Sequence, residues 1–215
     1  MTAWKTCVLV LAAISMLAAC SSGRRDAAFS LDGVSAPVRS CQINPQSFGQ
    51  AEPIKDFGEG NGCGITNGYR VFSVANINFS QPATVTCGIA DTLNLWIEQS
   101  VQPAAKRIYG SPVVSFKVAA SYACRPRNNV HGAKLSEHGF GNAIDLAGFT
   151  LANGREIIVE RDYYGQPQDQ QFLRTIRGQA CGPFHTVLGP GSDYEHRNHI
   201  HLDLQKERSG GPYCH

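Results

Sequence analysis

The segment His196-Arg197-Asn198-His199-Ile200-His201-Leu202-Asp203-Leu204 has the pattern of a β-strand with one chemical face and one buried face. Because side chains alternate across a strand, His199, His201 and Asp203 are expected on one side. The aliphatic residues between and after them are expected to face the core. Two imidazoles on one strand face can point at a single metal ion, since neutral imidazole is a common zinc ligand.

A catalytic zinc site needs about three protein ligands, so a second segment must contribute. The best source is Ser136-Glu137-His138-Gly139-Phe140-Gly141-Asn142-Ala143-Ile144-Asp145. A helix would separate His138 from Asp145 by roughly 10 Å along its axis. A straight strand would point the two side chains to opposite faces. We therefore predict a bend at Gly139 and Gly141, after which residues 142–147 run beside the histidine strand.

Residues 1–19 have the pattern of an export signal. Lys5 precedes the apolar run from Val8 to Leu17, which is too short to span a bilayer comfortably. The sequence Leu17-Ala18-Ala19-Cys20-Ser21-Ser22 resembles a bacterial lipobox, in which Cys20 is lipidated and becomes the mature N-terminus. The alternative is an ordinary cleaved signal with an incidental cysteine. We expect a lipoprotein signal peptide at 1–19, a tether at 20–40 and one domain at 41–215.

Six cysteines follow the export segment, and an even number in an exported chain indicates up to three disulfides. They are Cys41, Cys63, Cys87, Cys124, Cys181 and Cys214. No two of them have C-x-x-C spacing, which disfavours a zinc–cysteine cluster. The sequence does not choose among the possible pairings. We expect Cys41 and Cys63 to staple an irregular segment, and a Cys124–Cys181 bridge to hold the loop over 121–129 near the histidine strand.

The charge of the chain excludes one class of partner. The sequence has 19 basic and 17 acidic side chains, and loss of Lys5 with the signal leaves a formal charge of +1. This near-neutral charge lacks the excess of basic side chains that is typical of nucleic-acid-binding proteins. The sequence also shows no Gly-rich phosphate loop and no interior transmembrane stretch.

Apolar periodicity predicts two helices, over 88–108 and 169–180, and Pro103 is expected to kink or break the first. Besides the histidine strand, we predict strands over 69–79, 113–120, 142–149, 155–161 and 184–188. The third and fourth of these form a hairpin across Ala152-Asn153-Gly154. The predicted fold class is α+β: a small antiparallel sheet with a few flanking helices, disulfide staples and a zinc site on one sheet face.

The pattern S-x-H-x-x-G-x-A-x-D followed by H-x-H resembles the metallopeptidase superfamily of D-Ala-D-Ala peptidases, lysostaphin-type enzymes and hedgehog signalling domains. Its residues are Ser136, His138, Gly141, Ala143, Asp145, His199 and His201. The additional His196 is similar to the penicillin-insensitive murein endopeptidase branch. Outside this pattern, roughly residues 41–214 resemble the bacterial extensin-like C-terminal domain. The matching sequence segments are Cys63-Gly64-Ile65, Val101-Gln102-Pro103-Ala104-Ala105, Ser121-Tyr122-Ala123-Cys124-Arg125 and Ser136-Glu137-His138.

The superfamily resemblance implies that His138, Asp145 and His201 bind Zn²⁺, with the fourth position left open. It implies that His199 is the general base, and that Arg125 contacts substrate and developing charge. Two neutral imidazoles and one carboxylate leave the ion a net positive charge, which suits Lewis-acid chemistry.

Several other roles stay open. His196 is either a catalytic or supporting partner or a surface residue, and Ser136 either binds substrate or shapes the turn. Arg125 competes with Arg127, and its alternative role is a structural ion pair. Glu195 is a second candidate base. Asp203 either orients a ligand histidine or, as we expect, ends the strand. Glu137 is adjacent to His138, so its side chain is expected to point to the opposite side, away from the catalytic groups.

Together these features predict a zinc-dependent peptidase acting on an amide bond in peptidoglycan stem peptides or cross-links. The expected location is the periplasm, with a lipid anchor at Cys20 in the membrane, and Ser21 favours the outer membrane. A different class of function is a zinc-stabilised, non-catalytic lipoprotein that binds the cell wall. The presence of His199 favours the enzyme, because a purely structural zinc site does not need that residue.

Overall fold

The computed structural model describes residues 49–205 and 210–215, so the predicted signal peptide, the tether and Cys41 lie outside the described residues. The strands are β1 Ala51–Pro53, β2 Phe57–Gly58, β3 Gly64–Ile65, β4 Gly68–Val74, β5 Ile77–Thr86, β6 Val113–Ala120, β7 Ala143–Leu151, β8 Glu156–Ile158, β9 Thr186–Leu188, β10 Ile200–Asp203 and β11 Tyr213–Cys214. The helices are α1 Cys87–Trp96, α2 Gln102–Tyr109, α3 Val159–Asp162 and α4 Pro167–Ala180. The α+β class is therefore confirmed.

The main sheet is larger than predicted, with nine strands. Eight of them follow the order β1-β4-β5-β6-β7-β10-β9-β11, and β8 pairs with β7. The prediction of a purely antiparallel sheet is also wrong, because β5–β6 and β9–β11 are parallel. One strand was predicted over 69–79, but Ala75 and Asn76 adopt positive φ and turn the chain there into the β4–β5 hairpin. A second small sheet joins β2 and β3.

Strand β7 pairs with three other strands, two of which share one of its edges. Its N-terminal half pairs with β10, from Ala143 to Leu146, and its C-terminal half pairs with β8, from Gly148 to Thr150. Strand β6 occupies the other edge. The predicted hairpin between β7 and β8 and the predicted pairing of residues 142–147 with the histidine strand are both confirmed. That histidine strand is shorter than expected, since β10 begins only at Ile200.

The helices bury the apolar face of the sheet. Trp96 at the end of α1 donates through its indole to the Ile176 carbonyl on α4, at 2.9 Å. Between α1 and α2 lies a five-residue π-helical stretch, Ile97–Val101, and Pro103 is the second residue of α2. The break predicted at this proline is thus a change of helix type just before it. The fully buried aromatic side chains of the core are Trp96, Phe116, Phe149, Phe172 and Phe184.

Two disulfides join Cys63 to Cys124 and Cys181 to Cys214, and Cys87 is also disulfide-bonded. Disulfide stapling is therefore confirmed. The predicted Cys124–Cys181 bridge is wrong, and so is the pairing of Cys63 with Cys41. Cys124 bonds instead to Cys63, which directly precedes β3 of the second sheet. The Cys181–Cys214 bridge links the end of α4 to β11.

Among the described residues, no helix combines the length and the apolar character needed to cross a membrane.

Candidate functional site

His138 enters the site from a single turn of 3₁₀-helix, Glu137–Phe140. The chain leaves this turn at Gly141, where φ is +63° and an added Cβ would lie 2.5 Å from the Ile65 side chain. Glycine is therefore required both for the backbone conformation and for the space. The bend that the sequence predicted between His138 and Asp145 is confirmed. The Cys63 sulfur packs against Gly139, so the first disulfide supports this turn.

Asp145 and His201 meet because their strands pair in register. The Cα of His201 lies opposite that of Asp145 in the antiparallel β7–β10 ladder. On both strands the neighbouring residues Ile144, Leu146, Ile200 and Leu202 are fully buried on the opposite, core-facing side. The core pattern thus fixes which face carries the polar side chains.

The three side chains form a compact, buried donor cluster. Their nearest donor atoms all lie within 4.8 Å of one another. His138 Nε2 is 3.1 Å from Asp145 Oδ2, His201 Nδ1 is 2.8 Å from Asp145 Oδ1, and the two ring nitrogens are 3.3 Å apart. A tetrahedral zinc with bonds of about 2.0–2.1 Å separates its ligand atoms by roughly 3.3 Å. The donor set and its spacing therefore fit Zn²⁺.

Each histidine of the cluster is oriented through its other nitrogen. His138 Nδ1 lies 2.5 Å from the Ser121 carbonyl, and His201 Nε2 lies 3.0 Å from the Asp203 carboxylate. Such contacts to a carbonyl or carboxylate fix the tautomer and leave the opposite nitrogen free to bind a metal. Asp203 ends β10, as expected, and its buried carboxylate also accepts a hydrogen bond from His201 and so orients that ring.

The electrostatics of the cluster favour a charged Asp145. Burial raises the pKa of this carboxyl, but hydrogen bonds from His138 and His201 outweigh it, so the pKa lies well below its usual range. Burial lowers the pKa of His201, yet Asp145 and Asp203 together raise it to about 9. Without a metal, the carboxylate and the imidazolium stabilise each other, and a bound cation takes the place of that proton.

His199 stands beside the cluster rather than within it. Its Nε2 lies 3.5 Å from Asp145 Oδ1, and its Nδ1 lies 2.8 Å from the Asn198 side-chain oxygen. Burial lowers the pKa of His199 from its ordinary value near 6.5 to about 4. The ring is therefore neutral at neutral pH, and its Nε2 faces the cluster with a free lone pair.

His196 also belongs to the site. It is buried, and its ring centroid lies 5.2 Å from that of His199 and 5.5 Å from that of His201. The Asp193 carboxylate lies 2.6 Å from the ring Nδ1 of His196 and accepts from the backbone N–H of His196 at 2.9 Å. The surface alternative for His196 is therefore wrong. Glu195, the other candidate base, is exposed and lines a neighbouring cavity.

The two arginines differ in how they are paired. Arg127 donates to Gln205 at 2.5 Å and lies 4.0 Å from Glu137, a distant ion pair. Arg125 makes only a long bond, 3.5 Å, to the adjacent Pro126 carbonyl, and no carboxylate in the described chain lies within 4.0 Å of it. The structural ion pair considered for Arg125 is thus absent from the described residues, and its guanidinium stays free to bind an anion.

Two cavities adjoin the donor cluster, and Arg125, Asn128 and His196 line both of them. One, of about 180 Å³, lies over His138 and His201, and Ser136 also lines it. The other, of about 350 Å³, lies over Asp145 and His199. The donor cluster therefore borders two cavities that share part of their lining.

Among the lining residues that the sequence reasoning did not single out are Asp193, Asn128 and Thr186. The spacing of Asp193 and His196, three residues apart, is the one available signal for that pair. Asn128 and its neighbour Asn129 both have positive φ, which asparagine tolerates better than most residues, so the Asn-Asn pair indicated a tight loop. Thr186 enters the cavity only through the pairing of β9 with β10, which no local pattern reveals.

Comparison with known proteins identifies one family. A family model described as extensin-like protein C-terminus matches residues 39–215. No curated protein and no solved structure matches the chain.

Proposed function

The chain belongs to the family of the extensin-like protein C-terminus, and from this premise we propose that it is a zinc-dependent peptidase. Its proposed substrate is an amide bond in peptidoglycan stem peptides or cross-links. The observation that carries the proposal is the donor cluster of His138, Asp145 and His201, with ligand spacing that fits zinc and an uncommitted histidine beside it. The same features support membership of the metallopeptidase superfamily that the sequence resembles.

Each residue of the candidate site has a separate role in the proposed amide hydrolysis. When bound, Zn²⁺ supplies Lewis acidity, which polarises an amide carbonyl and makes water more acidic. His199 takes a proton from the attacking water at its Nε2 and passes it to the leaving amine. His196, held by Asp193, lies close enough to share in that proton transfer. Arg125 binds negative charge on the substrate or at the developing oxyanion, and Ser136 contributes a hydroxyl to the same cavity.

The substrate class rests on the expected location. The predicted export signal and the predicted lipid anchor at Cys20 support a periplasmic location, where peptidoglycan is an abundant amide-linked polymer. The two confirmed disulfides are typical of an oxidising compartment.

Zinc content and muropeptide cleavage, measured on the same preparations, test the proposal. Wild-type protein should bind about one Zn²⁺, and His138→Ala, Asp145→Ala or His201→Ala should each remove most of it. The matched control is His131→Ala, which removes an exposed histidine outside the cluster and should keep both properties. Full zinc content in all three cluster variants would refute the ligand assignment.

His199→Ala separates the enzyme from the non-catalytic alternative. The variant should keep its zinc while cleavage falls by roughly 10²–10⁴-fold, the usual share of a general base. Loss of zinc instead would make His199 a fourth ligand and the site a closed structural one. Wild-type protein that holds zinc and binds muropeptides without cleaving them would establish the cell-wall-binding lipoprotein.

A further inference from the structure

The Cys181–Cys214 bridge differs from the other disulfides of the described chain in its access to solvent. Both of its cysteines are half-buried and line a surface cavity of about 290 Å³. Each of the other bridges has a buried cysteine, Cys63 in one and Cys87 in the other. Thiol–disulfide exchange requires a thiolate to reach a sulfur atom, so access favours reaction at the Cys181–Cys214 bridge.

The cavity beside this bridge carries positive charge. Arg174, Arg177 and His215 line it, and no carboxylate side chain does. Arg177 donates to the Tyr163 hydroxyl and the Pro190 carbonyl, and the Arg174 guanidinium lies over two tyrosine rings. Neither guanidinium forms an ion pair among the described residues. Cationic groups stabilise thiolates, both the one that attacks a disulfide and the one that leaves it.

Cys214 belongs to a short segment, residues 210–215, which we call the strap. Its strand β11 has only two residues, and the backbone N–H groups of Tyr213 and His215 donate to carbonyls in and beside β9, at 2.6 and 3.0 Å. The Ser192 hydroxyl donates to the carbonyl of His215. Such bonds replace bonds to water, so these few contacts contribute little against the entropy of ordering the strap. The disulfide is therefore the main constraint on its position.

The strap supplies one wall of the cavity over the donor cluster. Tyr213 lines the cavity of about 180 Å³ together with His138 and His201. Strand β11 reaches this cavity because it pairs with β9, which in turn pairs with β10. The Tyr213 side chain is 46% exposed, so burial in the core does not hold it there. Release of the strap would change this cavity without touching a candidate metal ligand.

We propose that the Cys181–Cys214 bridge is a redox site for a dithiol oxidoreductase, and that its reduction releases the strap and removes Tyr213 from the cavity. A thiolate of the reductant attacks one sulfur, forms a mixed disulfide and expels the other cysteine as a thiolate, which takes up a proton. The second thiol of the reductant then displaces the first cysteine. The reductant leaves as a disulfide, and the chain gains two thiols. The effect on cleavage rests on the proposed peptidase function, whereas the redox site does not.

Graded reduction of the zinc-loaded protein by a thioredoxin-type dithiol protein tests the site. Free thiols are alkylated at each step and located by peptide mapping. Cys181 and Cys214 should react first, while Cys63 stays oxidised. Arg174→Gln should slow the reduction about threefold or more, because it removes a positive charge from the cavity. The matched control Arg107→Gln changes an exposed arginine on α2, outside this cavity, and should leave the rate unchanged.

Hydrogen exchange and kinetics on the reduced protein test the release of the strap. The amides of Tyr213 and His215 should lose protection, while those of β7 and β10 keep it and the zinc content stays the same. The KM for a muropeptide should rise about tenfold, because an aromatic contact is lost. Tyr213→Ala should raise the KM equally in the oxidised protein. Reduction of that variant should add little, since both changes remove the same ring.

Reduction of Cys63 at the same rate as Cys181, or reduction of either only after unfolding, would overturn the redox site. Retained protection of the Tyr213 amide in the reduced protein would overturn the release of the strap. An unchanged KM after release would overturn the role of Tyr213 in the cavity. Wild-type protein that cleaves no muropeptide would refute the peptidase proposal, and the alkylation and exchange results would still decide the redox site and the strap.

Discussion

Replacement of Asp203 by asparagine tests how the candidate metal ligands are held. One carboxylate oxygen of Asp203 accepts from His201 Nε2 at 3.0 Å, and the other accepts from the Gln205 backbone N–H at 2.8 Å. In Asp203→Asn only one oxygen remains, and the new NH₂ cannot accept a hydrogen bond. One of the two contacts must therefore be lost, and His201 is the partner that can respond by changing tautomer.

The change should act on the metal through that tautomer. If the amide NH₂ faces Nε2, the proton of His201 moves to Nδ1, which is the atom that points at Asp145. Loss of such an orienting partner typically weakens metal binding 10–100-fold. This corresponds to about 1.4–2.8 kcal/mol of binding free energy. The loss should be largest for zinc binding and small for the fold.

Zinc affinity is best measured by competition with a chelator of known affinity, together with a thermal melt of the zinc-free protein. Asp91→Asn, an exposed carboxylate on α1, makes the same chemical change away from the site. Its affinity should equal that of wild type. Equal affinity in Asp203→Asn would refute the orienting role of Asp203, and wild-type protein without measurable affinity would refute the metal site itself.

Three further predictions concern the remainder of the chain. Removal of the Cys181–Cys214 bridge by double replacement with serine should cost about 3–4 kcal/mol, because the bridge closes a 33-residue separation; denaturant unfolding measures it, and an unchanged midpoint would contradict it. Cys20→Ser should abolish lipidation and move the protein out of the membrane fraction; unchanged mass and partition would contradict the lipobox prediction. Gly141→Ala should lower the free energy of unfolding by more than 1 kcal/mol, since it combines a positive φ with a clash against Ile65, and a Tm equal to that of wild type would disprove the constraint.

The parts of the fold that follow local rules were predictable from sequence. The strand over 113–120 and the β7–β8 hairpin are confirmed because alternation and turn residues are local signals. The bend between His138 and Asp145 followed from the need to bring two distant side chains together. Its place was marked by glycine, whose freedom at positive φ is a property of the residue itself.

Other features depend on contacts that a linear pattern does not contain. The turn at Ala75 and Asn76 was missed because alanine seldom adopts positive φ, and a single asparagine is a weak turn signal inside a run of strand-forming residues. The pairing of Cys63 with Cys124 depends on where the second sheet packs. The low pKa of His199 comes from burial, which a residue's type does not reveal. Thr186 reaches the cavity through a strand pairing set by the whole sheet.

The alternation along β7 also bears on how reliably the chain folds. A shift of one residue in the pairing with β10 would turn Asp145 towards the core and expel Ile144 and Leu146 from it. Such a register error would bury an unpaired carboxylate, which costs several kcal/mol, and would also lose the burial of two aliphatic side chains. Misregistered chains are thus strongly disfavoured before any metal binds. The hydrophobic core on the opposite face of β7 therefore stabilises the one pairing register that places Asp145 beside His201.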